Sequence, residues 1–278
     1  MDADQAAGVD KAALAGGMPS LKHGRWQTPQ GPIAYSVVRR GRPDSGRPWA
    51  LLLHGITTDR SGMLALAAAL AADFDVLCID MPCHGESLDI PLDNPGDPVA
   101  VAQPILAAIT AYKPRLLRDQ PVLLVGHSFG GLVAAVLARH CAGAIGLVLG
   151  DTPMTMAKQR HVAAMLRLGF DDGPVRRHAP VVRDGFGVTA QGIAEKIYYD
   201  LPLLQPAPVL VLRAALPFGS KMTDARLPSC LDDIDQAALE KFGAGKVTCQ
   251  ALEGTSHILF NEAPEAAAAA IREWLRQH

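Results

Sequence analysis

Pro121-Val122-Leu123-Leu124-Val125-Gly126-His127-Ser128-Phe129-Gly130-Gly131 reads as a buried strand that turns abruptly into a helix. Four apolar residues in a row, Val122 to Val125, lie between turn-prone Pro121 and Gly126. After Ser128 the chain switches to Gly130, Gly131 and the run Leu132 to Ala138, which is small and helix-forming. Gly126, Ser128 and Gly130 spell G-x-S-x-G in the strand-before, helix-after context that gives this pattern chemical meaning. A strand that bends this sharply forces its apex residue into a strained backbone. Glycines two positions before and after leave room for the bend. The Ser128 oxygen is then pushed out at the carboxyl edge of a sheet, beside the positive end of the next helix, where a nucleophile would sit.

Composition narrows the setting. The 278 residues are long enough to bury a substantial core, as one large domain or two small ones. Hydrophobic residues make up 49% and charged residues 19%, and the formal charge is −2. No Lys/Arg block stands out, which speaks against a nucleic-acid groove or an anionic-membrane patch. No apolar run approaches the roughly 18 residues of a membrane span. The first residues, Met1-Asp2-Ala3-Asp4-Gln5, are acidic where a secretory signal is basic. Five scattered cysteines, Cys78, Cys83, Cys141, Cys230 and Cys249, show no metal spacing and are expected to be buried, reduced thiols. A cytoplasmic enzyme acting on a small molecule is the expectation, with no metal and no organic cofactor, since neither a ligand cluster nor a phosphate-binding glycine fingerprint is present.

Along the chain, residues 1–21 lack periodicity and read as a flexible arm. Gly31 to Val38 reads as a strand. Strand-length and helical segments then alternate: Trp49 to Leu53, Met63 to Ala72, Asp75 to Ile79, Val99 to Tyr112, Val122 to Val125, Phe129 to Cys141, and Ala144 to Leu149. Continuous apolar strands alternating with helices predict an α/β fold, a mostly parallel sheet with helices on both faces. The alternation breaks over 152–206, which is more polar and holds two candidate helices, Ala157 to Leu168 and Ala190 to Asp200. This insertion reads as a short helical lid between two parts of the core, 22–151 and 207–278. A plain long crossover is the alternative. The pattern resumes with Pro208 to Leu212, a helix over Asp232 to Phe242, a strand over Val247 to Leu252, and a closing helix from Ala263 to Arg276.

Beyond the elbow at Ser128, three landmarks carry a family resemblance. They are Leu51-Leu52-Leu53-His54-Gly55-Ile56, then Asp80-Met81-Pro82-Cys83-His84-Gly85-Glu86-Ser87, and Gly254-Thr255-Ser256-His257 after a strand near the C-terminus. From about residue 30 onward the chain resembles the α/β-hydrolase superfamily. The second landmark is similar to the family's D-x-P-G-H-G-x-S turn, with Cys83 where glycine is usual. The resemblance implies a serine hydrolase with a Ser-His-Asp triad. Serine attacks a carbonyl at neutral pH only when a positioned base takes its proton, and His257 is placed to do so. His54, His84 and His127, embedded in turns, read as structural residues that bond to backbone. Backbone N–H groups of Ile56 and Phe129 are the expected oxyanion donors, with Thr57 or Thr58 adding a hydroxyl or capping the next helix.

The acid departs from the family pattern. The loop after the strand ending near Arg213 reads Ala214-Ala215-Leu216-Pro217-Phe218-Gly219-Ser220 and holds no carboxylate. Asp151, which ends Gly146-Leu147-Val148-Leu149-Gly150, is favoured because strand ends are rigid, and Asp224 is the runner-up. The expected activity is cleavage of an ester, thioester or activated C–C bond of a small, mostly apolar substrate through an acyl-enzyme. The alternatives are a cofactor-free oxygenase or lyase that uses His257 as its base, and a non-catalytic receptor on the same scaffold.

Overall fold

Alternate residues of single strands face opposite layers. In the strand Trp49–Leu53, Leu51 and Leu53 join one buried cluster and Ala50 and Leu52 the other. That period of two, with both sides apolar, demands cover on both faces. The computed structural model describes residues 19–41, 46–159, 183–189, 192–223 and 226–278. Its strands are β1 (Ser20–Thr28), β2 (Gly31–Arg39), β3 (Trp49–Leu53), β4 (Asp75–Ile79), β5 (Val122–His127), β6 (Ala144–Gly150), the small hairpin β7 (Val188–Thr189) and β8 (Gly192–Ile193), β9 (Val209–Ala214) and β10 (Val247–Leu252). The main sheet runs β1-β2-β4-β3-β5-β6-β9-β10. It is antiparallel at β1-β2 and β2-β4 and parallel from β4 to β10.

The helices are α1 (Leu64–Leu70), α2 (Pro98–Tyr112), α3 (Pro114–Arg118), α4 (Phe129–Ala138), α5 (Asp200–Leu203), α6 (Asp233–Phe242), α7 (Leu259–Glu262) and α8 (Pro264–Gln277). Leu66, Leu70, Ile271 and Trp274 of α1 and α8 cover one face of the sheet. Val101, Ile105, Leu132 and Val136 of α2 and α4 cover the other. Local sequence sets the helix starts: Pro98 and Pro264 sit in first turns, and Asp97 accepts from Val99 N at 3.0 Å. Asp232 and Asp235 form a reciprocal capping box on α6.

The order of strands positions the site. From β3 the chain moves outward to β4 on one side and later to β5 on the other, so the direction reverses between β3 and β5. Ligands of open α/β sheets bind beyond the carboxyl ends at such a reversal. His54-Gly55 and Ser128 stand at those two ends.

Three features differ from expectation. β1 begins at Ser20, inside the stretch read as a flexible arm, and pairs along its whole length with β2. Its polar, mostly exposed residues gave no apolar alternation, because an edge strand buries little. Within the expected helix Ala190 to Asp200, Gly192 and Ile193 are in β8, and Ile197 makes an isolated bridge with Thr155, so helical structure starts only at Asp200. Of the expected helix Ala157 to Leu168, Ala157–Gln159 is a single 3₁₀ turn and the remainder lies outside the described residues. Among the described residues, no helix is long and apolar enough to cross a membrane.

Candidate active site

Ser128 is held at φ 53°, ψ −124°, immediately before α4. This region is costly for a residue with a side chain and persists only where the surroundings over-determine it. Here they do. Ser128 N donates to Gly150 O at 2.8 Å, and its carbonyl accepts from Gly131 N at 2.9 Å. A Cβ on Gly126 would overlap the Gly130 carbonyl, and one on Gly130 would overlap the carbonyls of Leu53 and His54. The first turn of α4 is thus pressed against the end of β3. Gly130→Ala is therefore expected to cost about 2 kcal/mol or more, as backbone must give way. An unchanged urea midpoint would contradict this packing.

The loop after β3 is fastened from several directions. His54 Nδ1 lies 2.8 Å from Gly55 O, and its Nε2 accepts from Met81 N at 3.0 Å. Since Nε2 accepts, Nδ1 carries the proton and donates to Gly55 O. Thr58 Oγ1 donates to the same carbonyl at 3.2 Å, so its hydroxyl serves the loop. His84 spans Pro82 O and Ile56 O, at 2.9 and 2.7 Å. Ile56 N–H makes no backbone hydrogen bond among the described residues, and Phe129 opens α4, where an N–H has no intrahelical acceptor. Gly55, the residue before Ile56 in this loop, lies close to the elbow, since a Cβ on it would come 3.5 Å from Ser128 Cβ.

Below this loop, the buried Asp80 accepts from Arg60 N at 2.7 Å and Glu86 N at 2.8 Å, and pairs with the Arg60 guanidinium. Asp80→Ala leaves that guanidinium, itself mostly buried, with only the more exposed Glu86 as carboxylate partner. A loss of about 2–3 kcal/mol is expected, and an unfolding free energy within about 0.5 kcal/mol of wild type would contradict it. Cys83, in the position where glycine is usual, adopts φ 66°. The left-handed turn is kept despite the side chain, whose thiol donates to Ile90 O at 3.3 Å.

Asp151 follows β6 at φ 45° and is fully buried. Its Oδ1 accepts from Ala214 N at 3.1 Å and Ser229 Oγ at 2.5 Å, and its Oδ2 from Cys230 N at 2.8 Å and His257 Nδ1 at 2.6 Å. Burial pushes this carboxyl up, but the His257 bond and charge, with the Ser229 and Cys230 bonds, outweigh it and hold the pKa below the ordinary value. Burial would depress His257; the Cys230 sulfur and the Asp151 carboxylate together raise it well above the ordinary histidine value. The His257 loop is tied down by His257 N to Leu227 O (2.8 Å) and by Glu262 accepting from Ser256 N and Oγ. His127 Nε2 donates to His257 O at 2.7 Å, and burial next to His257 lowers its pKa to about 4.

The structure therefore brings Asp151 and His257 together and places His257 beside the elbow, with the His127 and His257 ring centroids 4.8 Å apart. It does not join His257 to Ser128: no hydrogen bond links them among the described residues. Asp224 lies outside the described residues. Sequence reasoning missed Cys230, whose Sγ is 3.5 Å from His257 Nδ1. It also expected no cluster of metal-ligating types, whereas Asp151, Cys230 and His257 present ligand atoms all within 4.8 Å of one another. No local signal could have shown this, since Cys230 is 79 residues from Asp151 and 27 from His257.

A model of the alpha/beta hydrolase family matches residues 50–270. The chain belongs to the α/β-hydrolase family. This α/β hydrolase is 31% identical over 134 residues to the 2-succinyl-6-hydroxy-2,4-cyclohexadiene-1-carboxylate synthase of Escherichia coli O81 (strain ED1a), across 46% of this chain and 48% of that protein. The chain thus spans about half the length of the curated relatives it matches. Its fold is similar to the enol-lactonase from Burkholderia xenovorans LB400, with TM-score 0.64 and 19% identity over 91% of this chain and 100% of the other. It is also similar to a thermophilic esterase from Thermogutta terrifontis, with TM-score 0.58 and 22% identity over 92% and 98%. At these identities the structural likeness is one of fold.

Proposed function

We propose that this α/β hydrolase is a serine hydrolase that cleaves an ester, thioester or activated C–C bond of a small, mostly apolar substrate through an acyl-enzyme. The observation that carries the reading is the 2.6 Å bond between Asp151 and His257 beside a serine held at φ 53°. In this reading His257 Nε2 takes the Ser128 proton as Oγ attacks. The Nδ1–H donates to Asp151, which fixes the tautomer and stabilises the imidazolium that forms. Ile56 and Phe129 N–H donate to the oxyanion. His257 then returns its proton to the leaving group, and a water that it deprotonates releases the acyl product. The open Ser128–His257 contact fits a resting site that tightens around substrate. Residues 152–206 serve as the lid: Gly185 lies against Ile56 Cδ1, and Met154, Met156 and Phe186 are buried.

A panel of p-nitrophenyl esters of increasing chain length, with one lactone and one thioester, tests the reading. Burst release of the first product is expected, and oxygen uptake with an aromatic hydroxy-ketone in place of ester turnover would contradict it. Dialysis against a chelator is expected not to lower the rate; activity recovered only on adding a divalent ion would contradict a metal-free mechanism. The second reading, a cofactor-free lyase or oxygenase with His257 as base, is favoured by the relatives named as a synthase and by the missing Ser128–His257 bond. It requires that turnover survive loss of the Ser128 hydroxyl.

A further inference from the structure

The Cys230 thiol takes no step in the serine mechanism, yet its sulfur lies 3.5 Å from His257 Nδ1 and 4.0 Å from Nε2, while the backbone N–H of the same residue holds Asp151. A thiol on the acid's side of the imidazole is badly placed to replace Ser128 as nucleophile. We propose that Asp151, Cys230 and His257 form a site for a thiophilic divalent cation, Zn²⁺ fitting best, and that filling it switches the enzyme off. The inhibitory consequence rests on the serine-hydrolase reading; the site itself does not.

Donor chemistry and geometry support the choice. Sulfur, imidazole nitrogen and one carboxylate oxygen are a zinc-type set, whereas Mg²⁺ and Ca²⁺ favour oxygen alone. Zinc bonds of about 2.3 Å to sulfur and about 2.05 Å to nitrogen, at a tetrahedral angle, put those donors about 3.6 Å apart. The Sγ to Nδ1 separation of 3.5 Å matches in length, but Sγ also lies 4.0 Å from Nε2, well off the in-plane Nδ1 lone pair, so the Cys230 side chain must turn toward that lone pair. The same geometry asks for about 3.3 Å between nitrogen and oxygen, so the imidazole must back away from Asp151, from which it is now 2.6 Å. That displacement of about 0.7 Å is a small torsional change for a side chain on a loop opened by Gly254 at φ 73°. Three protein ligands leave a fourth position for water, the open form of zinc coordination.

Starting from the neutral ring, the ion takes the Nδ1 lone pair, the ring proton moves to Nε2, and the Cys230 thiol proton is released to solvent. An imidazole protonated on Nε2 cannot accept the Ser128 proton, and Asp151 Oδ2 is held by the ion. The enzyme stays folded and loses its base.

The test uses the full chain, stripped with chelator and titrated with Co²⁺ as the spectroscopic probe. A sulfur-to-cobalt charge-transfer band in the near ultraviolet is expected, saturating at one ion per chain and abolished by Zn²⁺. Cys230→Ser should lose the band and Cys249→Ser should keep it. No band in the unmodified chain, or an equal band in Cys230→Ser, overturns the proposal. If circular dichroism shows Cys230→Ser unfolded, His257→Ala replaces it: Co²⁺ affinity should fall at least roughly tenfold, and unchanged affinity overturns the site. In the kinetic arm, Zn²⁺ should suppress ester hydrolysis reversibly, with half-inhibition in Cys230→Ser at concentrations at least roughly tenfold higher. Equal sensitivity of both proteins overturns the inhibitory role. A cobalt band in a chain that hydrolyses no ester supports the site and removes the hydrolase reading instead.

Discussion

Ser128→Ala is expected to lower kcat by at least about a thousandfold on any ester the enzyme turns over, with no loss of fold. The hydroxyl stands at the sheet edge, and its removal leaves no large cavity. The backbone bonds that shape the elbow, Ser128 N to Gly150 O and Gly131 N to Ser128 O, do not involve it. KM should change little, because the oxygen contributes to the transition state far more than to ground-state binding. A variant with near wild-type turnover would remove the covalent mechanism and favour the lyase or oxygenase reading, in which Ser128 only binds.

Asp151→Asn is expected to cut kcat by about four orders of magnitude and, unlike the serine change, to cost stability as well. All four partners of the carboxylate donate: Ala214 N and Ser229 Oγ to one oxygen, Cys230 N and His257 Nδ1 to the other. Whichever way the amide is turned, its NH₂ meets a backbone N–H. A buried donor is then unpaired, at a cost of about 1–3 kcal/mol. In catalysis the amide no longer stabilises the imidazolium and invites the wrong tautomer. Asp224→Asn, made in parallel, should change kcat and the denaturation midpoint little. The opposite ranking would move the acid to Asp224. Equal, mild losses would leave neither as the acid and return attention to Asp232, Asp233 and Asp235, of which Asp232 and Asp235 cap α6.

The core was legible wherever physical requirements are local in sequence. Val122 to Val125 and Trp49 to Leu53 are buried on both faces of the sheet and read as unbroken apolar runs for that reason. Gly126 and Gly130 read as the room that a sharp strand-to-helix bend needs, and a Cβ on Gly126 would overlap the Gly130 carbonyl; the contact of Gly130 with the end of β3 was not legible. The rigidity argument for a strand end singled out Asp151, which meets His257 at 2.6 Å. What stayed hidden depends on distant pairings. β1 is polar because it is an edge, so its evidence lies in its partner β2. Ser229 and Cys230 hold Asp151 from a loop without regular pattern, and only the parallel pairing of β6 with β9 brings that loop near. The Arg60–Asp80–Glu86 network likewise joins residues from two loops by geometry alone.

Trapping the covalent intermediate shows whether Ser128 is acylated. Reaction with an activated ester, acid-quenched within the burst and followed by proteolysis and mass spectrometry, should show one acyl group per chain. It should reside on the peptide carrying Gly126-His127-Ser128-Phe129-Gly130 and be absent from Ser128→Ala. Rapid turnover with no acyl group on that peptide, or the same acylation in Ser128→Ala, would contradict the account.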